Sequence, residues 1–266
     1  MPEKRKMEYK TYLFDFDYTL ADSSRGIVIC FRNVLTRHGH TDITDESIKR
    51  TIGKTLEDSF SILTGITDKN TLISYKKEYV KEADIHMTAN TKFFPETVAV
   101  LKALKKRGAQ IGIISTKYRY RIHEMVDQHF PNKFFDIIIG GEDVKKAKPS
   151  PQGLLKALRC LHRKKKDTLY IGDSIIDAQT ALLAGVDFVG VLNGMTTREE
   201  LAEYRHRQIL PDLTLLPLIN KETTPPLLQR LVPHKALIYY PASSSKTNQR
   251  EERTAQRPTT PHMQEL

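Results

Sequence analysis

The strongest constraint on this fold is a strand-forming apolar run that stops at charge. Tyr12-Leu13-Phe14 leads directly into Asp15-Phe16-Asp17-Tyr18-Thr19-Leu20. Leu13 and Phe14 suit a buried, pleated surface. Two carboxylates immediately after them have little use in a core, because burying an unpaired charge is costly. In open α/β sheets, however, ligands bind just beyond the carboxyl ends of the strands. Asp15 and Asp17 are therefore the first candidates for chemistry.

Four more β-rich runs follow, at residues 110–114, 135–139, 168–171 and 188–192. Helical patterns separate them at 97–107, 119–129, 152–161, 175–184 and 198–205. Alternating strands and helices specify a parallel sheet covered on both faces. The expected class is α/β, a Rossmann-like three-layer core. Residues 213–216 are expected as a short edge strand. Between the first two strands, residues 23–91 contain no convincing strand. Helices are expected at 25–38, 45–52, 55–63 and 68–85, with Asp22 and Ser23 as N-cap residues. This gives a core of residues 10–22 and 92–219, with 23–91 as an inserted helical cap. Beyond about residue 220, prolines, Ser243-Ser244-Ser245 and scattered charges indicate a flexible extension. Within it, Leu237-Ile238-Tyr239-Tyr240 is apolar enough to dock on the body or on a partner.

Composition narrows the class. Hydrophobic residues make up 39% of the 266 and charged residues 28%, which fits a globular chain. Only two cysteines occur, Cys30 and Cys160, without metal-type spacing, and both are expected as buried reduced thiols. The absence of a long apolar run or signal core points to a cytoplasmic protein without a membrane partner. The net charge of +10 is compatible with nucleic acid, but it is dispersed in short clusters, and an anionic substrate explains a basic cleft equally well.

Four of the expected strand ends carry polar residues: Asp15 and Asp17; Ser115 and Thr116; Lys148, on the loop after the third strand; and Asp173 with Asp177. Taken singly, each has an ordinary explanation. Asp-x-Asp suits a turn, Ser115 an N-cap, Lys148 the surface, and Gly172-Asp173-Ser174 a loop with a capping serine. In a parallel sheet, though, these ends share one edge, and all of them would converge there.

The set Asp15-Phe16-Asp17-Tyr18-Thr19, Ser115, Lys148-Pro149 and Gly172-Asp173-Ser174-Ile175-Ile176-Asp177 resembles the four motifs of the haloacid dehalogenase superfamily of phosphohydrolases. Asp22-Ser23, Gly26-Ile27 and Ile52-Gly53-Lys54-Thr55-Leu56 resemble its phosphoglycolate phosphatase-like branch, which includes pyrophosphatases. The resemblance implies that Asp15 is the nucleophile, forming an aspartyl-phosphate, and that Asp17 is the general acid and base. It implies Mg²⁺ held by Asp15, Asp173 and the backbone carbonyl of Asp17. Ser115 and backbone N–H groups around Phe16 and Thr116 would hold phosphoryl oxygens, and Lys148 would stabilise their charge and orient Asp15. Asp177 would orient Lys148 or a metal-bound water, and Thr19 would fix the first loop. Lys54 and Arg25, in the cap, are the candidates for substrate selection.

The expected substrate is a small phosphorylated metabolite, a phosphate monoester of phosphoglycolate type. Pyrophosphate, a sugar phosphate and mutase chemistry are the same-class alternatives. A non-catalytic protein binding partners through its basic surface is the different-class alternative. Tyr18 departs from the family pattern, which usually has glycine there.

Overall fold

The computed structural model describes residues 9–219. The expected C-terminal extension, with Leu237 to Tyr240, lies outside the described residues.

Six strands form one parallel sheet: β1 (Thr11–Phe14), β4 (Gln110–Ile114), β5 (Ile137–Ile139), β6 (Thr168–Gly172), β7 (Asp187–Val191) and β8 (Gln208–Leu210). Their order is β5-β4-β1-β6-β7-β8, so β1 is central. Thr11 lies opposite Gln110 on one side and Thr168 on the other. This register brings the ends of β1, β4 and β6 to one edge.

Both faces of the sheet are buried, which is why its strands read as near-continuous apolar runs. Side chains alternate along β1. Tyr12 and Phe14 pack on one side with Val100, Leu101 and Leu104 of α5 (Thr97–Lys106) and Ile122, Met125 and Val126 of α6 (Arg119–His129). Leu13 packs on the other with Leu154 and Ala157 of α7 (Gln152–Cys160) and Ala178 and Ala181 of α8 (Ile175–Ala184). Each fully buried residue of this size contributes about 1.5–3 kcal/mol by leaving water.

The inserted helical cap comprises α1 (Ser24–Arg37), α2 (Asp45–Lys49), α3 (Leu56–Thr64) and α4 (Lys69–His86). It has its own apolar cluster, in which Phe31, Phe60 and Tyr79 meet with ring centroids 4.7 and 4.8 Å apart. Thr44, Thr55 and Asp68 cap α2, α3 and α4 through side-chain oxygens. A two-residue ribbon, β2 (Ala21–Asp22) against β3 (Lys92–Phe93), ties the cap's two ends to the core.

Five expectations need correction. Residues 213–216 are not an edge strand but part of a 3₁₀ turn, Leu213–Leu218. Asp212 starts it by accepting the Thr214 amide, and Leu213 and Leu216 are buried in the core cluster that includes α5. The edge position belongs to β8, because the preceding helix α9 (Arg198–Ala202) ends early. Residues 45–52 are helical only to Lys49. Cys30 is buried, but Cys160, in the last turn of α7, is exposed. Finally, Ser23 does not cap α1 with its side chain.

Candidate active site

β1 delivers Asp15 to the sheet edge, where its amide donates to the Ile171 carbonyl (2.9 Å). β6 ends in Gly172 and delivers Asp173, and the first turn of α8 presents Asp177. Carboxylate oxygens of Asp15, Asp173 and Asp177 lie within 4.8 Å of one another, and all three residues are buried. Lys148 joins them from the loop after β5, its Nζ 2.9 Å from Asp15 Oδ1 and 2.7 Å from Asp177 Oδ1. The Asp15 contact has ion-pair distance without hydrogen-bond alignment, so Oδ1 remains short of a partner.

Asp177 is fully committed. Its Oδ1 also accepts the Tyr170 hydroxyl (2.8 Å), and its Oδ2 accepts the Ser174 hydroxyl (2.6 Å) and amide (3.2 Å). Asp177 thus closes the capping box of α8 while anchoring Lys148. Asp173 has oxygen capacity to spare, since Thr19 Oγ1 donates to its Oδ1 (3.2 Å). Gly194 lies against its other oxygen, where an added Cβ would come within 2.1 Å of Oδ2. Only a glycine permits that approach.

Three buried carboxylates against one ammonium leave an excess of negative charge. Burial, and then the charges of Asp177 and Asp15, push the Asp173 carboxyl well above its usual range. Burial is also the main cause that raises Asp15 to about 7, against the lowering effect of Lys148. For Lys148, burial favours the neutral amine, but the charges of Asp15 and Asp177 outweigh it and raise the group. An under-partnered Asp15 oxygen, a mostly free Asp173 and surplus charge form an all-oxygen site suited to a hard divalent cation. Asp15 and Asp173 are the side chains able to hold Mg²⁺. Asp177 is taken up by Lys148, Tyr170 and Ser174.

The second carboxylate of the first motif faces elsewhere. Asp17 Oδ1 accepts the Ser23 hydroxyl (2.5 Å) and lies 3.1 Å from Lys117 Nζ. Tyr18, which follows Asp17, adopts φ 59°. Left-handed backbone is costly for a side chain with a Cβ, but its ring is buried and its amide donates to the Ala21 carbonyl (2.7 Å). Burial pushes its hydroxyl up to about 12.

Ser115 ends β4, and its hydroxyl accepts the Lys117 amide (3.2 Å). It does not cap α6, whose first amide is taken by Glu142. Thr116, Lys54 and Asp17 line a cavity of about 490 Å³ between cap and core. Ile27, Phe31 and Tyr79 form part of its apolar wall, and Lys76, Lys117, Arg121 and Lys145 bring charge to it. Arg25 is exposed on the first turn of α1 and does not line this cavity. The sequence alone singles out none of Lys117, Tyr170 and Gly194, and does not link Ser23 to the site. The sequence suggests only a helix cap for Ser23 and nothing for Lys117. Neither spacing nor periodicity reveals that both converge on Asp17.

The family model of haloacid dehalogenase-like hydrolases matches residues 12–191. This chain belongs to that family. A pyrophosphatase PpaX from Bacillus mycoides is 29% identical over 216 residues, spanning 81% of this chain and 99% of the relative. A crystal structure of a haloacid dehalogenase-like hydrolase from Bacteroides fragilis is 61% identical, with a TM-score of 0.78, covering 79% of this chain and 100% of that one. A structure described as a phosphoglycolate phosphatase, from Lactobacillus plantarum, shares the fold at 24% identity and a TM-score of 0.70, covering 80% of this chain and 100% of its own. The present chain is a hydrolase of this family.

Proposed function

We propose that this protein is a Mg²⁺-dependent phosphatase that hydrolyses a small phosphate monoester through a phosphorylated Asp15. The observation that carries the proposal is the buried Asp15–Asp173–Asp177 cluster with Lys148 at the ends of β1 and β6. A phosphate ester repels an anionic nucleophile, so the site must offset charge and hold the nucleophile in line. Bound Mg²⁺ would supply that charge compensation and polarise a phosphoryl oxygen. Asp15 attacks phosphorus, and the P–O bond to the leaving alcohol breaks. Asp17 gives its proton to the departing oxygen, then accepts one from the water that hydrolyses the acyl phosphate. Lys148, held by Asp177, faces Asp15 and the transferred group. Ser115 and the backbone N–H groups around Phe16 and Thr116 donate to phosphoryl oxygens. Thr19 steadies Asp173.

Residues 23–91 act as the cap. They close the cavity over the leaving group and exclude water during transfer. Lys54, on the loop between α2 and α3, contacts that group. A cytoplasmic setting and a small phosphorylated metabolite of phosphoglycolate type belong to this proposal. Pyrophosphate is the second reading, and the near-complete coverage of a PpaX pyrophosphatase supports it.

The test is phosphate release from a panel of phosphorylated metabolites and pyrophosphate, with Mg²⁺ or with chelator, beside Asp15→Asn. Turnover that requires Mg²⁺ and disappears in Asp15→Asn is expected. Equal release by wild type and variant would show that Asp15 is not the nucleophile.

A further inference from the structure

Lys117 is a buried cation that the phosphoryl-transfer machinery leaves unused. Its side chain is 9% exposed, yet it lines the cavity between cap and core. Its Nζ lies 3.1 Å from Asp17 Oδ1, 3.7 Å from the sulfur of Met87 and 6.0 Å from the centre of the Phe16 ring. An ammonium offers three donors. A thioether is a weak acceptor and a ring face makes only a soft contact. Asp17 Oδ1 is shared, because it already accepts the Ser23 hydroxyl. Among the described residues, no other carboxylate forms an ion pair with Lys117. The charge therefore has donor capacity directed into the cavity.

Its position fixes what it would meet. Asp17 is the group assigned to protonate the leaving oxygen, and Lys117 sits within hydrogen-bond reach of it. Lys148 stands at Asp15 and is committed to Asp177. The two lysines thus mark different ends of the substrate: Lys148 the transferred phosphoryl group, and Lys117 the group that departs. Lys76, on the cap side of the cavity, is already paired with Glu57 at 2.7 Å, so it does not duplicate that role.

We propose that Lys117 is a specificity-determining residue that selects substrates whose leaving group carries its own negative charge close to the scissile oxygen. A carboxylate one carbon away or a second phosphoryl group qualifies, whereas a neutral alcohol does not. This rests on the phosphatase function proposed above. It makes one substrate class of phosphoglycolate and pyrophosphate, which otherwise share little besides phosphorus. Closely placed anions bound by a desolvated ammonium gain a charge-assisted hydrogen bond, whose loss typically costs about 10- to 100-fold in binding.

The experiment compares kcat/KM for phosphoglycolate and pyrophosphate with that for glycerol phosphate and p-nitrophenyl phosphate in wild type, Lys117→Met, Lys117→Arg and Asp15→Asn. Lys117→Met should lower the ratio of charged-leaving-group to neutral-leaving-group kcat/KM about tenfold or more, mainly through KM, and Lys117→Arg should restore most of it. Calorimetric titration of methylenediphosphonate and methylphosphonate into the same proteins gives a readout without turnover. The diphosphonate should weaken about tenfold more than the monophosphonate in Lys117→Met. If both the kinetic ratio and the differential binding are unchanged in Lys117→Met, the inference is overturned. If Asp15→Asn turns over as well as wild type, the phosphatase mechanism fails instead, and the binding arm still decides the role of Lys117.

Discussion

Replacing the assigned nucleophile should stabilise the metal-free protein. Burial holds the Asp15 carboxyl at about 7, against an ordinary value of 3.8. A carboxyl raised on folding favours the native state while protonated. That contribution is present below the unfolded pKa and is lost as pH rises through the folded one. Between about pH 5 and pH 8, wild type therefore loses about 2–3 kcal/mol through this group. Asp173 is shifted in the same direction and adds to the loss. His206 opposes it, because burial lowers its pKa and favours the neutral ring at high pH. Asp15→Asn keeps His206 but removes the carboxyl. In chelator, the stability gap between variant and wild type should therefore widen in the variant's favour by about 2–3 kcal/mol from pH 5 to pH 8, or about 5–10 °C in Tm. Thermal melts across that range read it directly. Mg²⁺ should reverse the order at pH 8, because a cation that binds the native state of wild type preferentially shifts its melting upward. A gap that stays constant or narrows with pH in chelator would refute the reasoning that surplus buried charge strains this site.

Other perturbations probe the surroundings. Gly194→Ala forces a Cβ against Asp173 Oδ2; it should raise the Mg²⁺ concentration needed for half-maximal phosphate release about tenfold or more, measured by metal titration. Tyr18→Gly relieves about 1–2 kcal/mol of left-handed backbone cost but gives up about 3–5 kcal/mol of ring burial. Denaturant unfolding should therefore show net destabilisation of about 2 kcal/mol. Phe60→Ala empties the middle of the cap cluster and should cost about 3–5 kcal/mol by the same measurement.

The sheet was legible because each buried strand is a compact apolar run with a distinct polar stop. Gln110–Ile114 and the helices Arg119–His129 and Ile175–Ala184 coincide with the expected segments. The misreadings share a cause. Leu213 and Leu216 are apolar for the same reason whether they lie in a strand or a turn, and Asp212, which decides the matter, acts through a local hydrogen bond. The β2–β3 ribbon joins residues about 70 positions apart with two residues a side, too few for any periodicity to register. At the site, the carboxylates and Lys148 stood out by their placement at strand ends. Lys117 and Ser23 did not, because their significance lies in which way their side chains turn. Tyr18 looked like an anomaly at a glycine position. The structure resolves it as a residue that accepts left-handed backbone and buries its ring.

The central place of β1 has a consequence for how the chain reaches this state. The strand carrying Asp15 is made first, yet its two neighbours lie about 100 and about 160 residues downstream. It must therefore wait, unpaired, while the cap and half of the core are synthesised. Loop closure grows only slowly with length, each doubling adding about 0.6 kcal/mol, so the inserted helices lengthen that wait at small thermodynamic cost. Their contacts are local and their cluster is their own, which lets them condense before the sheet closes around β1. Changes inside the cap cluster should then act on the cap's own early condensation more than on the assembly of the catalytic edge. That separation gives the cap freedom to vary in sequence while the strand ends beneath it stay fixed.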